Sequence, residues 1–349
     1  MGGVPASQIV TNASTATMDA AVAARYGPVN QVRVVRVLMP EPGAGQVRVR
    51  VHAAGVNPAD VFATTGSPWP IRIATGLRRP RRPVLGHDVA GVVVAVGPRV
   101  TGLSVGDRVF GEGQGTFAEA CLASVDRVAL VPEVWTFPDA AAVPMAGTTA
   151  LQLLCRALPD ATDRRLLVIG AGGGVGTFLV QLAVDAGADV VAVCSRGKHE
   201  LVRSLGASEA VDYTTDDITG HAGRYDAIVD NVADHTFREL LPLLRAGGVL
   251  VTNSGTGHSN GGALGRPLQA AMLGTFARKP VRAVVCSTRK ADLERLARLG
   301  AEGSLHPVIG STYPFTSTAE ALREVAEGHA VGKVVVTLDL DDGGAPGQH

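Results

Sequence analysis

The sequence predicts an α/β protein in two parts: a β unit with short turns, then a doubly wound parallel sheet. Three observations lead there. The segment QVRVRVHAAGV (46–56) alternates strictly, with Val47, Val49 and Val51 on one side and Arg48, Arg50 and His52 on the other, as a half-buried strand requires. After Pro138 the pattern changes: a stretch of helical spacing comes first, and short apolar runs then alternate with further such stretches. Where the first such run meets the helix that follows it stands the glycine cluster GAGGGVG (170–176).

Further strands in the β unit are expected at DVAGVVVAVG (88–97) and GDRVFGEG (106–113), each bounded by glycine. Between them and the first strand lies GSPWPIRIATGLRRPRRPVLGHD. Its prolines predict a loop outside regular elements, and Arg78, Arg79, Arg81 and Arg82 make it the densest charge in the chain. DAAAVPMAGTTALQLLCRA (139–157) reads as one helix. Strands follow at 166–170, 190–194, 226–230 and 248–252, with helices starting near Gly174, Lys198 and His235. A helix at 290–299, another beyond it and the strand KVVVTL are placed to return to the first unit.

Composition bounds the function. Of 349 residues 46% are apolar and 18% charged, enough for sizeable cores, and the net charge is zero. Nothing in this suggests a general nucleic-acid or membrane binder, which would show a basic excess or a charged face. Cys121, Cys155, Cys194 and Cys286 lie far apart with no CxxC, which predicts neither a disulfide framework nor a zinc cluster and fits a reducing, cytoplasmic setting. Residues 1–17 lack the basic start and apolar core of a secretory signal and are expected to be a disordered extension, like the tail 341–349. No window reaches the roughly 18 apolar residues of a membrane helix.

A strand, a glycine-rich turn and a helix N-terminus make a phosphate site. Backbone N–H groups point outward, the helix dipole favours negative charge and absent side chains let a pyrophosphate approach. The spacing is Ala171-x-Gly173-x-x-Gly176, so Ala171, Gly172, Gly173, Gly174, Val175 and Gly176 are the candidate cradle. At the end of the second strand come Ser195, Arg196 and Lys198, with no carboxylate to accept from a ribose 2′-OH. A hydroxyl and two cations suit a 2′-phosphate, so the expected cofactor is NADPH (NADP). Two more strand ends are polar, at Asn231-Val232 and Ser254-Gly255, and are candidates for the nicotinamide side.

The chain resembles the zinc-free, quinone oxidoreductase-like branch of the medium-chain dehydrogenase/reductase superfamily. The resemblance is carried in order by AAGVNPADVFATTG (53–66), LGHDVAGVVVAVGPRVTGLSVGDRVFGE (85–112), AAAVPMAGTTALQLL (140–154), the glycine turn, LGASEAVDY (205–213) and GHAVGKVVVTL (328–338). It implies a GroES-like substrate domain from residues 18–145 and 287–340, with a Rossmann NADPH-binding domain inserted at 146–286. Where zinc members carry Cys, His and Cys, this chain has Asn57, His87 and Pro144, and 88–120 contains no Cys for a structural zinc lobe. One ligand of three does not make a catalytic zinc site, so no zinc is expected and His87 reads as a hydrogen-bonded core or cleft residue.

The resemblance further implies that Asn57 contacts the nicotinamide ribose region, and that Thr148, Tyr213 and Lys333 stand near the cofactor. Asp60 is expected to organise the Asn57 loop or to cap a turn. Relatives often carry Tyr where this chain has Phe62, which leaves no named proton donor. The activity implied is hydride transfer from NADPH to a quinone or an α,β-unsaturated carbonyl. Alternatives are an enoyl-thioester reductase, a biosynthetic tailoring enzyme on the same scaffold, and a non-catalytic NADPH-binding protein. The expected partner is a small molecule, with no nucleic acid or membrane, and relatives imply a homodimer through the edge strand Arg282–Cys286.

Overall fold

The computed structural model describes residues 16–218, 222–253, 280–284 and 286–338. The expected terminal tail and all but the last residues of the expected extension lie outside them. The chain opens with a two-stranded antiparallel sheet, β1 (Thr17–Val22) and β2 (Arg33–Leu38). β3 (Gln46–Val56) follows, then α1 (Pro58–Thr65), α2 (Ile71–Thr75), β4 (Asp88–Val96), β5 (Arg108–Gln114) and β6 (Ala120–Leu130). β3 pairs with both β4 and β6, so the strands β3-β4-β5-β6 close on themselves. The expected alternation along β3 holds: Val47, Val49 and Val51 are fully buried in this unit's core. The other face is half-covered, where His52 stacks on Phe137 at 4.4 Å.

Two expectations for this region change. The proline-rich segment is not all loop, because Ile71–Thr75 forms the short helix α2. Proline lacks only an N–H that a helix start leaves unpaired, so Pro68 and Pro70 are tolerated just ahead of it. The single helix expected over 139–157 is two, α3 (Phe137–Ala142) and α4 (Pro144–Ala157). Pro144 has no N–H to continue the ladder, and its ring excludes the preceding turn. The break leaves the Met145 N–H pointing out of the start of α4.

Beyond α4 the alternation is that of a doubly wound sheet: β7 (Arg165–Ile169), α5 (Gly174–Asp185), β8 (Asp189–Cys194), α6 (His199–Ser204), β9 (Glu209–Asp212), β10 (Tyr225–Asp230), α7 (Phe237–Leu240), β11 (Leu244–Thr252) and β12 (Val281–Ala283). All pairings are parallel, in the order β12-β11-β10-β7-β8-β9. Leu166 and Val168 face one core and Leu167 and Ile169 the other, as in a sheet buried on both sides. The order reverses between β7 and β10, and ligands bind at such a switch point, outside the carboxyl ends of the strands.

The last segment returns to the first unit. α8 (Lys290–Ala301) packs on α4 and β6, and β13 (Ile309–Pro314), α9 (Thr318–Glu327) and β14 (Lys333–Thr337) follow. β14 pairs antiparallel with β3, Val334 opposite Val56, and β13 pairs parallel with β14. Lys333 thereby arrives beside the start of α1. Among the described residues no helix is long and apolar enough to cross a membrane.

Candidate active site

The glycine turn lies at the switch point. Gly173 is the N-cap of α5, and no side chain caps that helix end. Its first N–H groups are therefore available to an anion, with the helix dipole behind them. The glycines differ in what a side chain would meet. A Cβ on Gly176 would stand 2.2 Å from the Gly170 carbonyl oxygen, so Gly176 lets helix and strand approach. A Cβ on Gly173 would meet only that same oxygen, at 3.5 Å, so the space in front of Gly173 is open. Ala171 and Gly172 are buried, and Gly174 and Val175 are half-buried. This cradle fits a pyrophosphate.

Ser195 and Arg196 follow β8, and the Arg196 side chain is exposed. Lys198 is placed otherwise than its predicted phosphate role. Its stem crosses Gly172, and its ammonium donates to the carbonyls of His329 (3.2 Å) and Ala330 (2.9 Å). Burial lowers its pKa. Tyr213 lies just past β9 and is exposed. Asn231 donates from both its backbone N–H and its side-chain amide to the Ile169 carbonyl, at 3.2 Å each, which ties the end of β10 to the glycine turn. The N–H of Val232 caps the Asp230 carboxylate. Ser254 and Gly255 lie outside the described residues.

On the far side of the turn the returning chain makes contact. Gly332 N–H donates to the Gly172 carbonyl at 3.0 Å, and the next residue, Lys333, enters a buried polar cluster. Its ammonium donates to Asn57 Oδ1 (2.5 Å) and the Val56 carbonyl (3.1 Å), and lies 3.7 Å from Asp88 Oδ2. The Asn57 amide nitrogen donates to Asp88 Oδ2 at 2.9 Å, so both ends of that amide are fixed. Asp88 also accepts from the freed Met145 N–H, at 3.2 and 3.3 Å. Asp60 is fully buried: Oδ2 accepts from the Asn57 N–H (2.9 Å) and Oδ1 is 2.6 Å from His87 Nδ1. Both expectations for Asp60, loop organiser and cap, describe the same bond.

Two carboxylates and two cations thus share one cluster. Burial pushes the Asp88 carboxyl up to about 6, while the Lys333 ammonium and the Asn57 amide pull it down. Burial lowers Lys333, and Asp88 opposes that shift. For His87 burial acts downward as well, but the Asp60 carboxylate outweighs it, with Asp88 and Glu112 adding, and the imidazole rises to about 9. The direction of this shift favours the imidazolium form of His87 at neutral pH.

A cavity of about 560 Å³ opens on this cluster, lined among others by Ala63, Arg81, Arg82, Leu85, His87 and Gln114. Of the cluster, His87 alone reaches the cavity wall, while Asn57, Asp60 and Lys333 are brought together in the buried network to which it is bonded. Thr148 is buried in α4 with its hydroxyl committed to the Pro144 carbonyl at 2.6 Å. Sequence reasoning missed Asp88 and set His87 aside. The available signal was an ionisable pair, His-Asp, opening a strand that is otherwise apolar. Of the three positions matched to zinc ligands, the Asn57 amide is bonded at both ends, His87 Nδ1 is bonded to Asp60 and proline offers no donor. Among the described residues no three His, Cys, Asp or Glu side chains stand where they would hold a metal ion.

The alcohol dehydrogenase GroES-like domain family matches residues 43–133, and the zinc-binding dehydrogenase family matches 205–336. A mouse protein named NAD(P)H oxidoreductase RTN4IP1, mitochondrial, is 33% identical over 365 residues, covering 94% of this chain and 91% of its own. An Arabidopsis thaliana protein named NADPH-dependent alkenal/one oxidoreductase, chloroplastic, is 32% identical, covering 91% of this chain and 79% of its own. Among solved structures, a quinone oxidoreductase from Coxiella burnetii superposes with a TM-score of 0.82 at 25% identity, covering 92% of this chain and 99% of that one. The closed β unit, the parallel sheet with its glycine turn and these matches along most of the chain agree: the protein is an oxidoreductase-type member of the medium-chain dehydrogenase/reductase superfamily.

Proposed function

We propose that the protein is a zinc-independent, NADPH-dependent reductase of α,β-unsaturated carbonyl compounds or quinones. One observation carries the reading: the uncapped N-terminus of α5 is joined through Gly172, Gly332 and Lys333 to an Asn57 amide held in a single orientation. A dinucleotide with its pyrophosphate on the turn extends toward that amide, and the cavity beside it takes the acceptor. The names of the Arabidopsis and Coxiella relatives support the substrate classes.

When bound, NADPH supplies the hydride. This chain's residues do the rest: the turn and Asn231 fix the two ends of the sheet opening, Lys333 and Asp88 fix Asn57, and the cavity walls hold the acceptor and exclude water. A second reading, an acyl thioester as acceptor, is favoured by Arg81 and Arg82. Both line the cavity, and among the described residues neither has a carboxylate partner, whereas Arg127 is paired with Glu112 at 2.8 Å.

The cofactor choice is assigned to Ser195 and Arg196, since Lys198 is held by the 329–330 carbonyls. Charged hydrogen bonds to a phosphate are worth about 1.5–3 kcal/mol. Arg196→Ala should weaken NADPH binding about tenfold or more and leave NADH unchanged, as read by nicotinamide fluorescence titration. Equal affinity of the wild type for both nucleotides would remove the preference. Among the described residues β12 is the edge strand of its sheet, which supports a homodimer joined there. Light scattering at micromolar concentration should give twice the monomer mass; a monomer refutes it.

A further inference from the structure

We propose that His87 is the proton donor of this reaction, presenting its Nε2–H to the acceptor in the cavity while Asp60 holds its Nδ1. The inference rests on the reductase reading above and names a donor for a site where Phe62 offers none.

Geometry carries it. Asp60 cannot turn, because its second oxygen is fixed by the Asn57 N–H, so the 2.6 Å bond to Nδ1 sets the plane of the ring. The His87 side chain is nevertheless 40% exposed. Nε2 has no protein partner and is not among the buried unpaired atoms, and the ring lines the cavity. One nitrogen is anchored in the protein and the other is open to a ligand.

The other proton-bearing groups nearby are excluded. The Tyr26 hydroxyl, behind α2, is bonded to Thr75 Oγ1 (2.7 Å) and the Gly76 carbonyl (2.6 Å). Cys121 is fully buried, and burial pushes its thiol up to about 12. Glu112 is ion-paired with Arg127, and the arginines do not release protons at usable pH. Among the described residues lining the cavity, His87 alone has a proton to give near neutrality. The charges facing it are Asp60, Asp88 and Glu112, with Lys333 behind Asp88 and Arg81, Arg82 and Arg127 on the cavity wall.

The step balances as follows. A hydride adds to the β-carbon of an enone, the C=C pair becomes the new C=C of an enolate, and the carbonyl pair moves to oxygen. The Nε2–H proton passes to that oxygen, the N–H bond breaks and its electrons remain on a neutral imidazole. The enol tautomerises to the ketone, and solvent reprotonates His87. The enone is reduced by two electrons and the nicotinamide is oxidised by two. Before transfer, the imidazolium also stabilises the developing oxyanion.

The test compares wild type and His87→Gln with NADPH and 1-octen-3-one. A general acid contributes roughly 10²–10⁴-fold, so kcat/KM should fall at least about 100-fold while NADPH affinity stays the same. The wild-type profile should fall as pH rises through about 9, and the variant should lack that limb. A second readout needs no turnover: in ¹⁵N-histidine NMR of the wild type with NADP⁺, His87 should be an imidazolium at pH 7.5. Activity of His87→Gln within threefold of wild type, with the alkaline limb kept, overturns the proposal, as does a neutral His87 at pH 7.5. Failure of the wild type to oxidise NADPH with any enone or quinone instead overturns the reductase reading, and this inference with it.

Discussion

Lys333→Met should lower folding stability by about 3–5 kcal/mol, the usual cost of removing one partner from a buried ion pair. The ammonium is buried, and its loss takes the counter-charge from the Asp88 carboxylate, which keeps only its neutral Asn57 and Met145 donors, and the donor from Asn57 Oδ1 and the Val56 carbonyl. Methionine fills the space but donates nothing. Asp88 already sits at about 6 because burial disfavours its charge, and without Lys333 it rises further. The sign of the pH dependence follows. A carboxyl raised in the folded state favours folding fully below its unfolded value near 3.8, and that advantage is lost as pH rises through its folded value. The defect of Lys333→Met should therefore be mild at pH 5 and full at pH 8, as read by urea unfolding. Adding Asp88→Asn should recover part of it, since a neutral amide needs no counter-charge. A loss below about 1 kcal/mol at pH 8 would show that the cluster does not bind the return strand to α1.

The glycine turn yields the second large effect, through a contrast. Gly176→Ala places a methyl 2.2 Å from the Gly170 carbonyl and 2.6 Å from the Ala171 backbone, and backbone atoms cannot step aside without moving the strand. Stability should drop by about 1–3 kcal/mol, with at least a tenfold loss of NADPH affinity because the cradle is displaced. Gly173→Ala is the opposite case. Its backbone, at φ −94° and ψ −179°, suits alanine, and the added Cβ meets nothing closer than 3.5 Å. Melting should be unchanged within about 0.5 kcal/mol, yet dinucleotide affinity should fall by at least tenfold, because the methyl occupies the approach to the helix N-terminus. If Gly173→Ala binds NADPH as the wild type does, the pyrophosphate does not lie on this turn.

How far the sequence could be read depends on the range of the forces involved. The β3 alternation, the strands β7, β8 and β10 and the uncapped turn are local patterns, and each appears within a residue or two of where it was expected, whereas β11 begins four residues early at Leu244 and β9 was not expected. Pro144 was visible too, but its result was not. Breaking the helix is local chemistry, whereas the Met145 N–H it frees is useful only because Asp88 comes to it from β4. Lys198 shows the same limit. The end of β8 reads as a phosphate clamp until the 329–330 loop, far along the chain, accepts its ammonium.

Periodicity and spacing sufficed for the α/β class and for the glycine turn between strand and helix, because hydrophobic burial and backbone sterics act on neighbours. The charge on His87 was settled only by folding. Asp60, Asp88 and Glu112 come from α1, β4 and β5, and a coulombic shift depends on distances that no stretch of chain contains until those elements meet.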